Sequence, residues 1–262
     1  MRYFRLYVMF VTQYLKMLME YKADFLIGIL GFLFTQGSGI AFIWLVFQKI
    51  PHLNGWDFHQ VVFIYGFAQL PRGLDHLLTD NLWLLSGQII VRGEFDRYLL
   101  RPVNPLFQVV AERFQFDALG ELLVGILLVG MALPYAHISI TPFKALIFVV
   151  VILAGTVIYT SVKLFFASMA LWIQFSQAIL FMNYQLSNFA KYPLSIYNKV
   201  VRGILTFVIP FGFTAYYPAG YFVDKVDLAH ALWGTMAAAA LSFAVAYMTW
   251  LKGLKSYQSV GN

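Results

Sequence analysis

The chain has 262 residues, of which 61% are hydrophobic and only 11% charged. A soluble globular domain carries about 25% charged residues, so a soluble enzyme, a nucleic-acid binder and a disordered hub are excluded, and an integral membrane protein remains. The surplus of 18 Lys and Arg over 12 Asp and Glu fits membrane loops biased to one side and calls for no nucleic-acid partner.

Residues 3–21 predict an interfacial helix. Arg5, Thr12, Gln13, Lys16 and Glu20 fall on one stripe at three-to-four spacing, while Phe4, Val8, Phe10, Val11, Leu15 and Leu18 cover much of the rest. Such a helix lies in the headgroup plane of the lipid. Residues 25–47 are 23 positions without a charge. As a helix they reach roughly 35 Å, enough for a hydrocarbon core of about 30 Å. A second span is expected from Asp57 to about Leu77, a third over residues 118–133, a fifth over residues 203–213 and a sixth over residues 231–251.

The fourth segment, residues 143–190, holds 48 positions with no proline and, beyond Lys144 at its very start, a single charge at Lys163. As one helix it would be about 72 Å long, so it is either one span with a cytoplasmic extension or two spans in a hairpin. Charge placement favours the first. With six spans and both termini inside, 13 basic residues fall in four inner segments, among them Lys191, Lys199 and Arg202, against Lys49, Lys144 and Lys225 outside. The expected fold is therefore all-α: a single transmembrane domain over residues 1–262, six helices, an N-terminal interfacial helix and both ends cytoplasmic.

The largest hydrophilic piece, residues 86–113, faces the cytoplasm in this topology. Within it a two-turn helix is expected over residues 94–101, opened by Gly93, Glu94 and Asp96 and stopped by Pro102 and Pro105. Phe95, Tyr98, Leu99 and Leu100 would supply apolar anchors and Asp96, Arg97 and Arg101 charge. Such a helix is either a turn resting on the bilayer or a knob that docks on a soluble partner.

The run GQIIVRGEFDRYLLRPVNPLFQV resembles the intracellular loop of ABC exporter permeases of the ABC-2 type, in a subgroup once described as a domain of unknown function. The lead-in YKADF, the turn Gly55-Trp56-Asp57 and the block YPLSIY…IPFGFTAYYPAGY match in the same order, over about residues 2–255. The resemblance implies a coupling helix at residues 93–101 that docks on a cytoplasmic ATPase, a second permease subunit (identical or paralogous), and an outer re-entrant turn near Pro218. It also implies the inner (plasma) membrane as location. No G-x-x-x-x-G-K-[ST] phosphate loop occurs, so the chain is not catalytic alone, and ATP and Mg would be bound by the partner.

Polar groups inside the membrane are functional candidates by default. Glu121 and Lys163 lie at similar depth and are expected to pair, either as a packing tie or as a gate on a translocation path. Gln36, beside Gly37 and Gly39, serves close helix packing or a pore. Arg72, Asp75, His76 and Asp80 crowd the end of the second span and are expected to anchor it at the interface. His52, Asp57 and His59 make only a weak metal pattern, and cysteine is absent, which excludes a thiolate site. Tyr216, Tyr217 and Tyr221 with Trp56 would form an interfacial aromatic belt or an exit mouth. The expected activity is ATP-driven export of an amphiphilic or hydrophobic substrate. The alternatives are an ion-coupled carrier using Glu121 and Lys163, and a scaffold without a conduit.

Overall fold

The computed structural model describes residues 2–20 and 22–259; Tyr21, the expected end of the interfacial helix, lies outside them, as do Met1 and residues 260–262. Among the described residues the chain is helical, with only an isolated bridge between Leu53 and Trp56. The helices are α1 (Arg2–Glu20), α2 (Lys22–Lys49), α3 (Phe58–Thr79), α4 (Leu82–Leu84), α5 (Asp96–Leu99), α6 (Pro105–Ala111) and α7 (Ala118–Ala132). They continue with α8 (Pro142–Ser168), α9 (Ala170–Ile173), α10 (Gln177–Leu186), α11 (Lys199–Gly203), α12 (Tyr216–Phe222) and α13 (Thr235–Ser256). Among the described residues three helical stretches are long and apolar enough to cross a membrane: Leu30–Lys49, Pro142–Ile173 and Ala229–Ser256. Lys199–Val208 and Phe211–Phe222 add a fourth if the pair, bent by 74°, is counted as one.

α3 is the axis of the molecule. It begins at a capping box in which Gln60 N–H donates to Asp57 Oδ1 at 2.9 Å and Asp57 N–H to Gln60 Oε1 at 3.4 Å. Two backbone donors that a helix start leaves orphaned are thereby satisfied. Sixteen of its 22 residues are buried, with α7, α8, α2 and α12 all packed on it. α7 comes closest. A Cβ added to Gly66 would stand 2.6 Å from Leu128 Cβ and 3.0 Å from Val129 N, and one on Gly125 3.0 Å from Gly66 O. In lipid, where apolar surfaces gain nothing by leaving the solvent, such backbone approach is what holds helices together. Gly155 does the same for α8 against Pro71, at 3.0 Å.

The fourth segment departs from its expectation. The helix that starts at Pro142 is continuous only to Ile173; Gln174 adopts φ +63° and ends it. Ser176 N–H then bonds Ser86 O, and the chain doubles back along α3. Tyr184 and Asn188 meet Arg72, Lys191 lies over the Tyr65 ring, and Ser195 accepts from Trp56 Nε1 at 2.9 Å. Residues 177–195 therefore span the length of α3, so a single helix with an extension is incorrect, as is the placing of Lys199 and Arg202 beside the 86–113 loop. The expected fifth span is also different. It is the bent pair, and both its ends lie at the Leu53–Trp56 turn: Ser195 before it bonds Trp56, and Lys225 after it donates to Gly55 O. Its bend, at residues 209–213, packs near Tyr159 and Gly155, halfway along α8.

Candidate functional site

Three features carry chemistry: a polar spine on α3, a cleft beside it, and the 86–113 loop. The spine follows from the spacing Gln69, Arg72, Asp75, His76, Thr79, Asp80, which winds polar side chains round the second half of α3. On one side Lys163 Nζ of α8 pairs with Asp75 Oδ2 at 2.8 Å and stands 3.5 Å from Asp80 Oδ1. Asp75 Oδ1 accepts from Thr79 at 2.6 Å and Thr160 at 2.8 Å. On the other, Arg72 donates to Asn188 Oδ1 at 2.9 Å and to the Tyr184 hydroxyl, with Nε 4.0 Å from Glu121 Oε1. His76 Nδ1 is 3.1 Å from Glu121 Oε2.

The expected Glu121–Lys163 pair is thus replaced by two separate ones, Lys163 with Asp75 and Glu121 with His76 and Arg72. α3 passes between α7 and α8, and depth alone says nothing about which side of it a residue faces. The expected interfacial anchors are likewise interior: Arg72 and Asp75 are 5% and 1% exposed. Gln36, 5% exposed, accepts from Tyr65 OH and Gln69 Nε2, both at 2.6 Å, and so fastens α2 to α3.

Between α2, α3, α7 and α10 opens a cleft of about 430 Å³. Glu121, His76, Asp80 and Asp117 line it together with Phe32, Trp83, Phe181 and Tyr184. Glu121 is the one of the three expected path residues (Gln36, Glu121, Lys163) on its wall. A second, apolar cleft of about 670 Å³ lies between α8, residues 206–210 and α13. The expected aromatic belt is split: Trp56 and Tyr216 are 3% and 7% exposed with rings 5.9 Å apart, inside the core, while Tyr217 and Tyr221 are half-buried. Among the described residues no group of three His, Asp or Glu is placed to hold a metal ion.

The 86–113 loop is tightly held. The helix over the expected residues 94–101 shrinks to Asp96–Leu99, entered through Gly93 at φ +69°, a conformation that favours glycine. Phe95 and Tyr98 are fully buried, Phe95 against Trp250 of α13 and Tyr257, so they anchor the loop to its own protein and not to a partner. Asp96 accepts from Tyr257 OH and Ser259 Oγ and does not cap the helix. Arg97 is held by Glu112 at 3.1 Å and Glu94 at 3.8 Å, and its bond to Tyr98 keeps its guanidinium charged above the usual arginine range. Burial, then the bond to Glu112, pushes the Tyr98 phenol up to about 12. Leu100 is 85% exposed, and Leu99, Val91 and Arg101 are exposed as well.

Apolar helices facing outwards, charges paired inside, and a polar loop clamped across one end define a multi-pass membrane protein. The sequence profile of the family described as ABC-2 family transporter protein matches residues 33–261, and the chain belongs to that family. It is the membrane-spanning permease component of an ABC transporter, a component that is not itself catalytic, and the family implies association with ATP-binding subunits and often with a second permease. No curated protein matches the chain in sequence.

Proposed function

We propose that this permease exports an amphiphilic or hydrophobic substrate from the cytoplasm or inner leaflet of the inner (plasma) membrane, driven by ATP hydrolysed on separate subunits. The observation that carries the reading is the 86–113 loop. A bare apolar tip, Leu99 and Leu100, stands on a base locked by Phe95 and Tyr98. A tip that is free while its base is rigid passes a push inwards instead of absorbing it. The base touches α13 through Trp250 and the C-terminal segment through Tyr257, so closure of the ATPase would move α13 as well as α3 and α7.

In this reading the chain crosses the membrane six times, as α2, α3, α7, Pro142–Ile173, residues 177–195 and Ala229–Ser256, while residues 199–222 enter from the outer side and return. Ten basic residues then lie on the cytoplasmic side against five outside, still the sense of the positive-inside bias. α1 lies along the inner surface. Gln36 and Lys163 act as ties, and Glu121 meets cargo.

Co-purification of the ATP-binding subunit tests the loop. Leu100→Asp with Leu99→Ala is expected to abolish it while leaving the thermal unfolding midpoint unchanged. Phe95→Ala should instead destabilise the permease by about 3–5 kcal/mol. An ATPase that stays bound to the folded Leu100→Asp, Leu99→Ala chain would rule out docking there. Transport by the purified chain alone down a proton gradient would rule out the ATP-driven reading.

A further inference from the structure

The 430 Å³ cleft combines one sign of charge with aromatic faces. Asp80, Asp117 and Glu121 are acidic residues on its wall, and among the described residues that line it none is Lys or Arg. Behind the wall Lys163 is shared by two carboxylates, Asp75 at 2.8 Å and Asp80 at 3.5 Å, and the second of these lines the cleft. Glu121 is 6% exposed, yet its Oε2 makes no hydrogen bond, His76 Nδ1 standing 3.1 Å away without the alignment of one. Arg72 Nε is at the far limit of an ion pair, 4.0 Å from Oε1. Excess carboxylate at this depth is costly unless a cation answers it.

The aromatic residues suit the same ligand. Arg72 already occupies one face of Tyr184, its guanidinium carbon 4.4 Å from the ring centre, which shows that this wall accepts a cation. Trp83 stands edge-on to Tyr184 at 5.5 Å, and Phe32 and Phe181 line the cleft beside them. A ring face attracts a weakly hydrated organic cation through its quadrupole and its apolar body alike. Gly28 keeps the α2 side open: an added Cβ would already be 3.7 Å from the Asp117 carboxylate, and a longer side chain would enter the cleft.

We propose that the cleft is a binding site for an apolar organic cation, an ammonium or phosphonium with aromatic or alkyl substituents. Calling that ligand cargo rests on the export reading above; binding itself does not. The cation sits with its charge among Asp80, Asp117 and Glu121 and its body against Trp83, Phe32 and Phe181.

The test uses the full chain in nanodiscs of phosphatidylcholine, with empty nanodiscs as the baseline. Tetraphenylphosphonium and tetraphenylborate, near-twins of opposite charge, are the probes. Wild type is expected to bind the phosphonium at least about tenfold more tightly than the borate. Glu121→Gln and Asp117→Asn should each weaken it about fivefold or more, and Gly28→Leu should block it with every charge retained. Ala238→Leu, in the 670 Å³ cleft, should leave it unchanged. Equal binding of the two ions, or wild-type binding by folded Asp117→Asn and Gly28→Leu, would overturn the proposal. ATPase co-purification read on the same preparations separates the two readings. Loss of the cation with the ATPase retained removes only the site, whereas a bound cation with no ATPase removes the exporter and leaves the site.

Discussion

α2 and α3 are neighbours of similar size with opposite characters. In the apolar stretch Leu30–Lys49 only Gln36 and Ile43 are buried, and Leu33, Phe34, Phe42, Trp44 and Leu45 face outwards. α3 carries an arginine, an aspartate and two histidines, is not among the helices that length and composition alone mark as crossing, and is buried over most of its length. Hydropathy therefore marks the helix that meets lipid most sharply and the one that organises the protein only weakly, as an apolar run after Asp57 with charges in its second half. The helix at the centre has protein on every side, so its charges find partners and can be kept.

The contrast can be broken most strongly at its ion pair. Lys163→Met leaves Asp75 buried without its cation, and a loss of about 3–5 kcal/mol is expected in thermal or denaturant unfolding of the purified chain. Adding Asp75→Asn should recover most of that loss, because a neutral pair has no such penalty. Gly66→Ala tests the close approach of α7 at constant charge; with Leu128 Cβ 2.6 Å from the new atom, about 1–3 kcal/mol should be lost. Gln36→Leu removes the shared acceptor of Tyr65 and Gln69, and about 1 kcal/mol is expected, near the upper range of hydrogen bonds measured between helices in membranes. On the outer face of α2, Phe34, 78% exposed, should be replaceable by Leu within about 0.5 kcal/mol. If Phe34→Leu cost as much as Gly66→Ala, the two helices would not differ as described.

How far the sequence discloses this structure can be traced residue by residue. The 25–47 run is legible because lipid demands an unbroken apolar stretch, and the family resemblance is borne out by the family profile over residues 33–261, a range that leaves the YKADF lead-in outside it. The start of α3 is legible in Asp57 and Gln60. The break at Gln174 is not, since neither glycine nor proline stands at residues 174–176 and a glutamine takes the left-handed conformation. A weaker signal was present just after it. Gln177, Asn183, Gln185 and Asn188, with Ser187, put more polar side chains into residues 177–188 than lipid tolerates, which marks a segment packed on protein. The partners of Lys163 were hidden for a geometric reason: sequence gives depth along a helix, but which side of α3 each neighbour occupies comes only from the packing.

The central claim is that the 86–113 loop faces the ATPase on the side opposite the turn at residues 195–199. The chain has no cysteine, so Leu100→Cys and Lys199→Cys each introduce a single thiol for a membrane-impermeant maleimide. The account predicts that Lys199→Cys is labelled in intact cells, and that Leu100→Cys is labelled only in inside-out vesicles and is protected there when the ATP-binding subunit is bound. Labelling of both from the same side, or a Leu100→Cys thiol equally reactive with the subunit present, would contradict it.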